Sequence, residues 1–394
     1  MNAGTDEGAD EGAPAATRRP RDAMLRRGKE KRLSWPRRTP AASLRDMNAI
    51  QHPRFPLAAC RPLKATACTA LLAAVVSLGA CGGGGGGGET SPPPTPSPPA
   101  GPTLAQRTAA ATAVAGSASN DCAPIRPFYW EVGDRSAAQA SGSVGGNTYA
   151  ANTAMSIASA TKWLYGAYVA ERRSGVFTAQ DVEFLSFKSG YTDFDTCLPG
   201  QTVASCLAAG SNGDFVPSTQ GRFFYGGGHM QKHATLLGLG AMDNAALAAE
   251  MRSVLGTDIG LAFSQPQPAG GAISSAADYA VFLRKLLVGG LRHGVLLGQA
   301  SVCTNPLACP GQALYTPVPS TEQWRYGTGH WVEADPVVGD GAFSSAGAFG
   351  FYPWIDASRS VYGVVARRDI TAGAGNASAR CGRLIRKAWL TGSS

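Results

Sequence analysis

Seven consecutive glycines, Gly82 to Gly88, followed by a Ser/Pro/Thr stretch to Pro102, constrain this chain more than any other feature. A glycine run is a flexible coil, and a proline-rich segment is a stiff, extended spacer. Neither buries enough apolar surface to join a core, so the chain divides here. The C-terminal portion, 103–394, is roughly 290 residues, enough for a single domain that buries about three quarters of its extended surface. No internal repeat at solenoid or propeller periods is present.

The charge divides at a similar place. The whole chain carries 35 Lys/Arg against 27 Asp/Glu, a net +8. Residues 1–64 hold 14 basic and 7 acidic side chains, leaving 21 and 20 for the remaining 330, a net of +1. The globular part therefore has no basic excess of the kind that binds nucleic acid.

Residues 1–46 are polar and Arg-rich and lack apolar periodicity, which reads as a disordered tail or a spurious extension from an early start. Met47 opens a different pattern. Arg54, Arg61 and Lys64 precede the apolar run ATACTALLAAVVSLGA, residues 65–80, so 47–80 reads as a secretory signal peptide. The run is too short for a membrane-spanning helix. Leu78-Gly79-Ala80-Cys81 resembles the lipobox of bacterial lipoproteins, which implies lipidation of Cys81 and makes 81–102 a tether. Two or more acyl chains suffice for stable anchoring. The implied location is the bacterial cell envelope; Gly82 after the Cys resembles lipoproteins of the outer membrane.

Nine cysteines are present, and six fall in the globular part. An even number in an exported domain reads as disulfides. Short loops pair Cys197 with Cys206 and Cys303 with Cys309, which leaves Cys122 with Cys381 at the two ends of the domain. There is no C-x-x-C pair, and the five His form no H-E-x-x-H motif, so no metal is expected.

Patterning gives an outline. Phe128–Val132 and Ala137–Ser143 read as a strand pair turning at Gly133-Asp134. Ser159–Arg173 and the amphipathic Ala276–Val288 read as helices, stopped by Gly175 and Gly289. Gln323–Glu333, Ala348–Ile355 and Ser360–Ala366 read as strands, and Gly382–Leu390 as a terminal helix. The expectation is an α+β domain: an antiparallel sheet built from both chain ends, flanked by helices, with a mainly helical middle.

Ser159-Ala160-Thr161-Lys162 carries the chemistry. Three residues apart on a helix, a Ser hydroxyl and a Lys amine share a face. A Lys whose pKa is lowered by burial can activate the hydroxyl, and a helix N-terminus offers N–H groups to an oxyanion. S-x-x-K alone is weak, since a Ser there is often an N-cap and a Lys solvated. No G-x-S-x-G elbow is present, nor a Walker or dinucleotide glycine motif.

The segment Met155–Lys162 (MSIASATK) resembles the nucleophile segment of the serine β-lactamase/penicillin-binding-protein superfamily, in its class C-type branch. Leu185–Tyr191 (LSFKSGY), Phe224–His229 (FYGGGH), the helix at 276–288 and Phe343–Gly350 (FSSAGAFG) match further family segments in order. The resemblance covers most of 120–394 and implies a β-lactamase/transpeptidase-like fold with no cofactor. It implies Ser159 as acylated nucleophile, Lys162 as its base and Tyr225 as a second proton-transfer group. The N–H groups of Ser159 and Ala348 would form an oxyanion hole. Gly227, Ser345, Ala346 and Gly347 would border the substrate, with Gly347 admitting its close approach. His229 and His233 read as structural, Arg367 and Arg368 as mostly solvated with one able to bind a substrate carboxylate. Trp324, Tyr326, Trp331, Phe349 and Tyr352 read mainly as core, one or two lining the acyl pocket.

Two positions depart from the family. Gly227 stands where the family has an Asn, and Ser345 where it has Lys or His. Both losses favour an esterase or amidase acting on small or uncharged acyl groups over efficient penicillin hydrolysis. A D-alanyl-D-alanine carboxypeptidase-like activity, or a non-hydrolytic penicillin-binding or peptidoglycan-sensing module on the same fold, are the other readings. The expected partners are a small-molecule ester or amide or a peptide, and a membrane through the lipid anchor.

Overall fold

A computed structural model describes residues 101–394. The expected extension, signal peptide and Cys81 anchor at 1–100 lie outside these residues. None of the described helices is long and apolar enough to cross a membrane.

An eight-stranded antiparallel sheet organises the domain. In spatial order its strands are Ala138–Val144, Phe128–Asp134, Val361–Ala366, Tyr352–Ile355, Phe343–Ser344, His330–Val332, Arg325–Gly327 and Val302–Cys303. The first hairpin thus pairs with the last strand, Trp130 opposite Val365, so both chain ends build one sheet as expected. Phe128–Asp134 and Val361–Ala366 are buried along almost their whole length, which requires cover on both faces. Helices Ala276–Leu287 and Ala374–Thr391 supply it.

The helices follow local signals. Ser275 caps 276–287, its hydroxyl accepting from Asp278 N–H, and Tyr279, Phe282, Leu283 and Leu286 form the buried stripe. Helix 374–391 starts eight residues earlier than its pattern indicated, because small residues such as Ala374, Gly375 and Ser378 pack against the chain as closely as large ones. Helix Leu104–Gly116 is an addition to the expected outline. Thr103 and Gln106 form a capping box at its start, and Arg107 ties it to the carbonyl of Trp389 at 2.9 Å.

Two expectations are corrected. Gln323–Glu333 is a hairpin rather than one strand, because Thr328 and Gly329 both adopt left-handed backbone, φ 47° and 95°. Ala348–Phe351 is a loop, with the strand confined to Tyr352–Ile355. The central helices Ala179–Leu185, Val203–Leu207, Gly228–Leu236 and Asn244–Leu255 form the helical region, with a small three-stranded and a two-stranded sheet beside it.

All three cysteine pairings agree with the expected set: Cys122–Cys381, Cys197–Cys206 and Cys303–Cys309 lie at bonding distance. A buried ion cluster also fixes the last helix. Arg386 donates to Glu333 at 2.9 Å, to Asp340 at 2.7 and 2.8 Å, and to the Tyr352 hydroxyl at 2.9 Å. Removing one partner of such a buried set costs about 3–5 kcal/mol.

Candidate active site

Ser159 sits in a short 3₁₀ turn, Ala158–Ala160, that runs straight into helix Thr161–Arg172. Ala158 adopts φ 44°, a left-handed conformation that costs an L-residue roughly 1–2 kcal/mol. Neighbours hold it there. Ile157 N–H donates to Ala272 O, Thr161 Oγ1 to Ala158 O, and the Tyr279 hydroxyl to Ala160 O. Ser159 is therefore not the N-cap; that position is Ala160, and no side chain caps it.

Lys162 lies one turn on, buried, with Nζ 3.0 Å from Ser159 Oγ and 2.6 Å from Ala269 O. Those two oxygens carry no formal charge, and among the described residues no carboxylate pairs with the amine. Burial alone lowers its pKa to about 7.

Tyr225 comes directly after strand Phe223–Phe224, whose parallel pairing with Ala313–Tyr315 sets its place. Its ring stacks on Trp331 at 5.2 Å and meets Phe187 edge-on at 5.1 Å. The Lys162 ammonium is 4.9 Å from its centroid. Burial raises the phenol above its ordinary pKa, while the nearby Ser159 hydroxyl and Trp331 indole pull the other way. Ser159, Lys162 and Tyr225 thus converge.

Two lobes of one cleft open on either side of Ser159. The first, about 250 Å³, is walled by Tyr225, Trp324, Trp331, Val318, Phe349 and Ile370. The second, about 400 Å³, is polar, with Lys162, Asp195, Thr196, Gln265 and Gln267 in its wall. Ala348 borders both, and its N–H has no partner among the described residues. Ala346 and Gly347 line the apolar lobe, and Gly227 the polar one.

One expected placement changes and another gains a second contact. Ser345 is buried, and its hydroxyl donates to Ser159 O at 3.1 Å, so it braces the nucleophile segment from behind and does not face the cleft. Gly347, besides lining the apolar lobe, admits the backbone of Ile157: a Cβ at 347 would collide with the Ile157 carbonyl oxygen. Arg367 is buried, bonded to Ser378 and Asp369 and away from both lobes, while Arg368 is exposed over the Phe349 ring.

His229 and His233 hold the helical region together. His229 bonds Ser189 and Phe224 O, and His233 bonds Tyr165 and Asp181. Burial drives the His229 pKa down to about 3, so the ring stays neutral at ordinary pH. Among the described residues, no group of three or more His, Cys, Asp or Glu is placed to hold a metal ion.

Known structures are similar in arrangement. A β-lactamase from Mycobacterium bovis is 16% identical, with 68% of this chain and 96% of that one covered at a TM-score of 0.45. EstCE1, a hydrolase with promiscuous acyltransferase activity, is 14% identical over 73% and 99%, TM-score 0.47. Simvastatin synthase (LovD) from Aspergillus terreus is 13% identical over 73% and 98%, TM-score 0.45. The structural neighbours of this chain are β-lactamase-type hydrolases and acyltransferases. No protein-family model and no curated relative matches the chain.

Proposed function

We propose that this chain is a serine hydrolase that cleaves an ester or amide through an acyl-enzyme on Ser159. The observation that carries it is Lys162 Nζ, 3.0 Å from Ser159 Oγ and lowered to a pKa of about 7. A substantial fraction of that amine is neutral at pH 7 and can accept the hydroxyl proton.

The positions set the steps. Ser159 Oγ attacks the substrate carbonyl as its proton passes to Lys162. The N–H groups of Ser159 and Ala348 receive the oxyanion. Tyr225, kept protonated by burial, hands a proton to the departing alkoxide or amine and is reprotonated through Lys162. Water then repeats the sequence on the acyl-enzyme and restores Ser159.

A fluorophosphonate or penicillin probe tests this. Wild type should label at Ser159, and Ser159→Ala should not; failure to label with any acylating probe would overturn it. Short p-nitrophenyl esters, nitrocefin and D-Ala-D-Ala peptides would then sort ester, β-lactam and peptide substrates. A stable adduct without turnover would favour the binding or sensing module, a reading that Gly227 and Ser345 support.

The apolar run before Cys81 supports an exported, lipid-anchored protein of the bacterial envelope. Metabolic labelling with a palmitate analogue, lost in Cys81→Ser, tests it; unlabelled protein in the soluble fraction would refute it.

A further inference from the structure

We infer that Gln267 is the residue with which this cleft orients the acyl part of its substrate, and that the substrate is an uncharged ester or amide whose acyl chain carries a second carbonyl or amide group close to the scissile bond. The inference rests on the Ser159 acyl-enzyme reading.

Most polar side chains around the polar lobe are already committed. Gln265 Oε1 accepts from Thr196 Oγ1 at 3.2 Å and Cys197 N–H at 3.4 Å. Ser264 Oγ donates to Gly271 O, and Lys162 is taken by Ser159 and Ala269. Gln267 differs. It is half-buried, it walls the same lobe as Ser159, and its carboxamide has no hydrogen-bond partner among the described residues. A half-buried amide with two donors and an acceptor unmatched is suited to a ligand that supplies the complement.

The loop holds this amide in place. Gln267 O accepts from Gly270 N–H at 3.1 Å and Gly271 N–H at 2.8 Å, and Pro266 O accepts from Gln231 Nε2 at 3.0 Å. Ala269 O, two residues on, holds Lys162. One tight loop therefore carries both a lysine anchor and a free amide, a preorganised arrangement. Its Nε2 lies 3.3 Å from where a Cβ on Gly227 would stand, so the missing side chain at 227 leaves room for it.

Charge defines the rest of the substrate. Among the residues lining the two lobes, Asp195 and Lys162 are the only Asp, Glu, Lys or Arg. No Arg is among those lining residues to offer a carboxylate a bidentate partner, and exposed Asp195 repels one. An apolar group suits the tryptophan-walled lobe, while a neutral carbonyl or amide suits Gln267.

The test compares p-nitrophenyl N-acetylglycinate with p-nitrophenyl pentanoate, which share a leaving group and a similar acyl length but differ in the amide. Gln267→Met keeps the side-chain length and removes the amide. It should lower kcat/KM for the acetylglycinate by about 10- to 100-fold. Pentanoate turnover and fluorophosphonate labelling of Ser159 should stay within about threefold. Equal losses on both esters would mark Gln267 as merely structural, and an unchanged ratio would also overturn the inference. The p-nitrophenyl monoester of glutaric acid should be a poorer substrate than the pentanoate; a better one would sink the uncharged-substrate part. If wild type neither labels at Ser159 nor turns over any of these esters, the acyl-enzyme reading itself has failed and this inference falls with it. Labelling retained with an unchanged ratio condemns Gln267 alone.

Discussion

Lys162 Nζ stands 3.0 Å from Ser159 Oγ, and no carboxylate among the described residues pairs with it. Its other hydrogen-bond partner is the carbonyl of Ala269, 2.6 Å away, from a loop more than a hundred residues later in the chain. Removal from water, rather than a neighbouring charge, makes this amine a base.

That origin has two pH signatures. Activity measured as kcat/KM should rise through an apparent pKa near 7 as Lys162 loses its proton, and Lys162→Met should abolish the turnover. Stability should move as well. The unfolded lysine titrates near 10.5, so between about 7 and 10.5 the folded chain binds fewer protons than the unfolded one. Lys162 therefore makes folding more favourable as pH climbs through that window, and below pH 7 its full penalty remains. Urea unfolding of Lys162→Met against wild type should show the largest relative gain at pH 6 and a smaller one at pH 10. A pH-independent difference would count against a desolvated amine.

Tyr225→Phe isolates the phenol proton. The ring keeps its stack on Trp331, so unfolding free energy should change by no more than about 1.5 kcal/mol. Turnover should fall by about 10²- to 10⁴-fold. Near-wild-type turnover would remove Tyr225 from the proton path.

Gly347→Ala probes the contact behind the nucleophile. The added methyl must displace the Ile157 carbonyl, two residues before Ser159, at a cost of about 1–3 kcal/mol. Thermal melts should show the loss, and turnover should drop with it as Ser159 shifts. A variant as stable and active as wild type would mean the two segments separate freely.

Cys122–Cys381 closes 259 residues, while the other two pairs close 9 and 6. In the chain-entropy account the longest loop contributes most, about 2–5 kcal/mol. The Cys122→Ala/Cys381→Ala double variant should therefore melt lowest of the three paired-cysteine knockouts. A lower melt for the Cys303–Cys309 knockout would contradict it.

Much of the site is legible in the sequence. Ser159 and Lys162 are three residues apart, and helical geometry alone puts them on one face. Loop lengths suggest the cysteine pairing that the structure has. Helix 104–116 is readable too, since Thr103 and Gln106 have capping-box spacing, but its small residues give a faint apolar stripe. Other features have no local signal. Nothing in Ser345 itself says that its hydroxyl turns toward Ser159 O, and nothing in a Gln–Pro–Ala–Gly–Gly loop says that Gln267 lines the same lobe as Ser159, beside Gly227. The Arg386 cluster likewise joins residues 34 to 53 positions apart.

What the sequence by itself determined is the set of reactive groups and those distances that one turn of helix or one short loop spans, because such geometry is local. Only the tertiary structure decided that Tyr225 reaches Ser159, that Lys162 loses its water, and that a tryptophan-walled lobe and an amide-bearing lobe flank the same hydroxyl. Burial and convergence depend on segments far apart in the chain, and they exist only once those segments have packed.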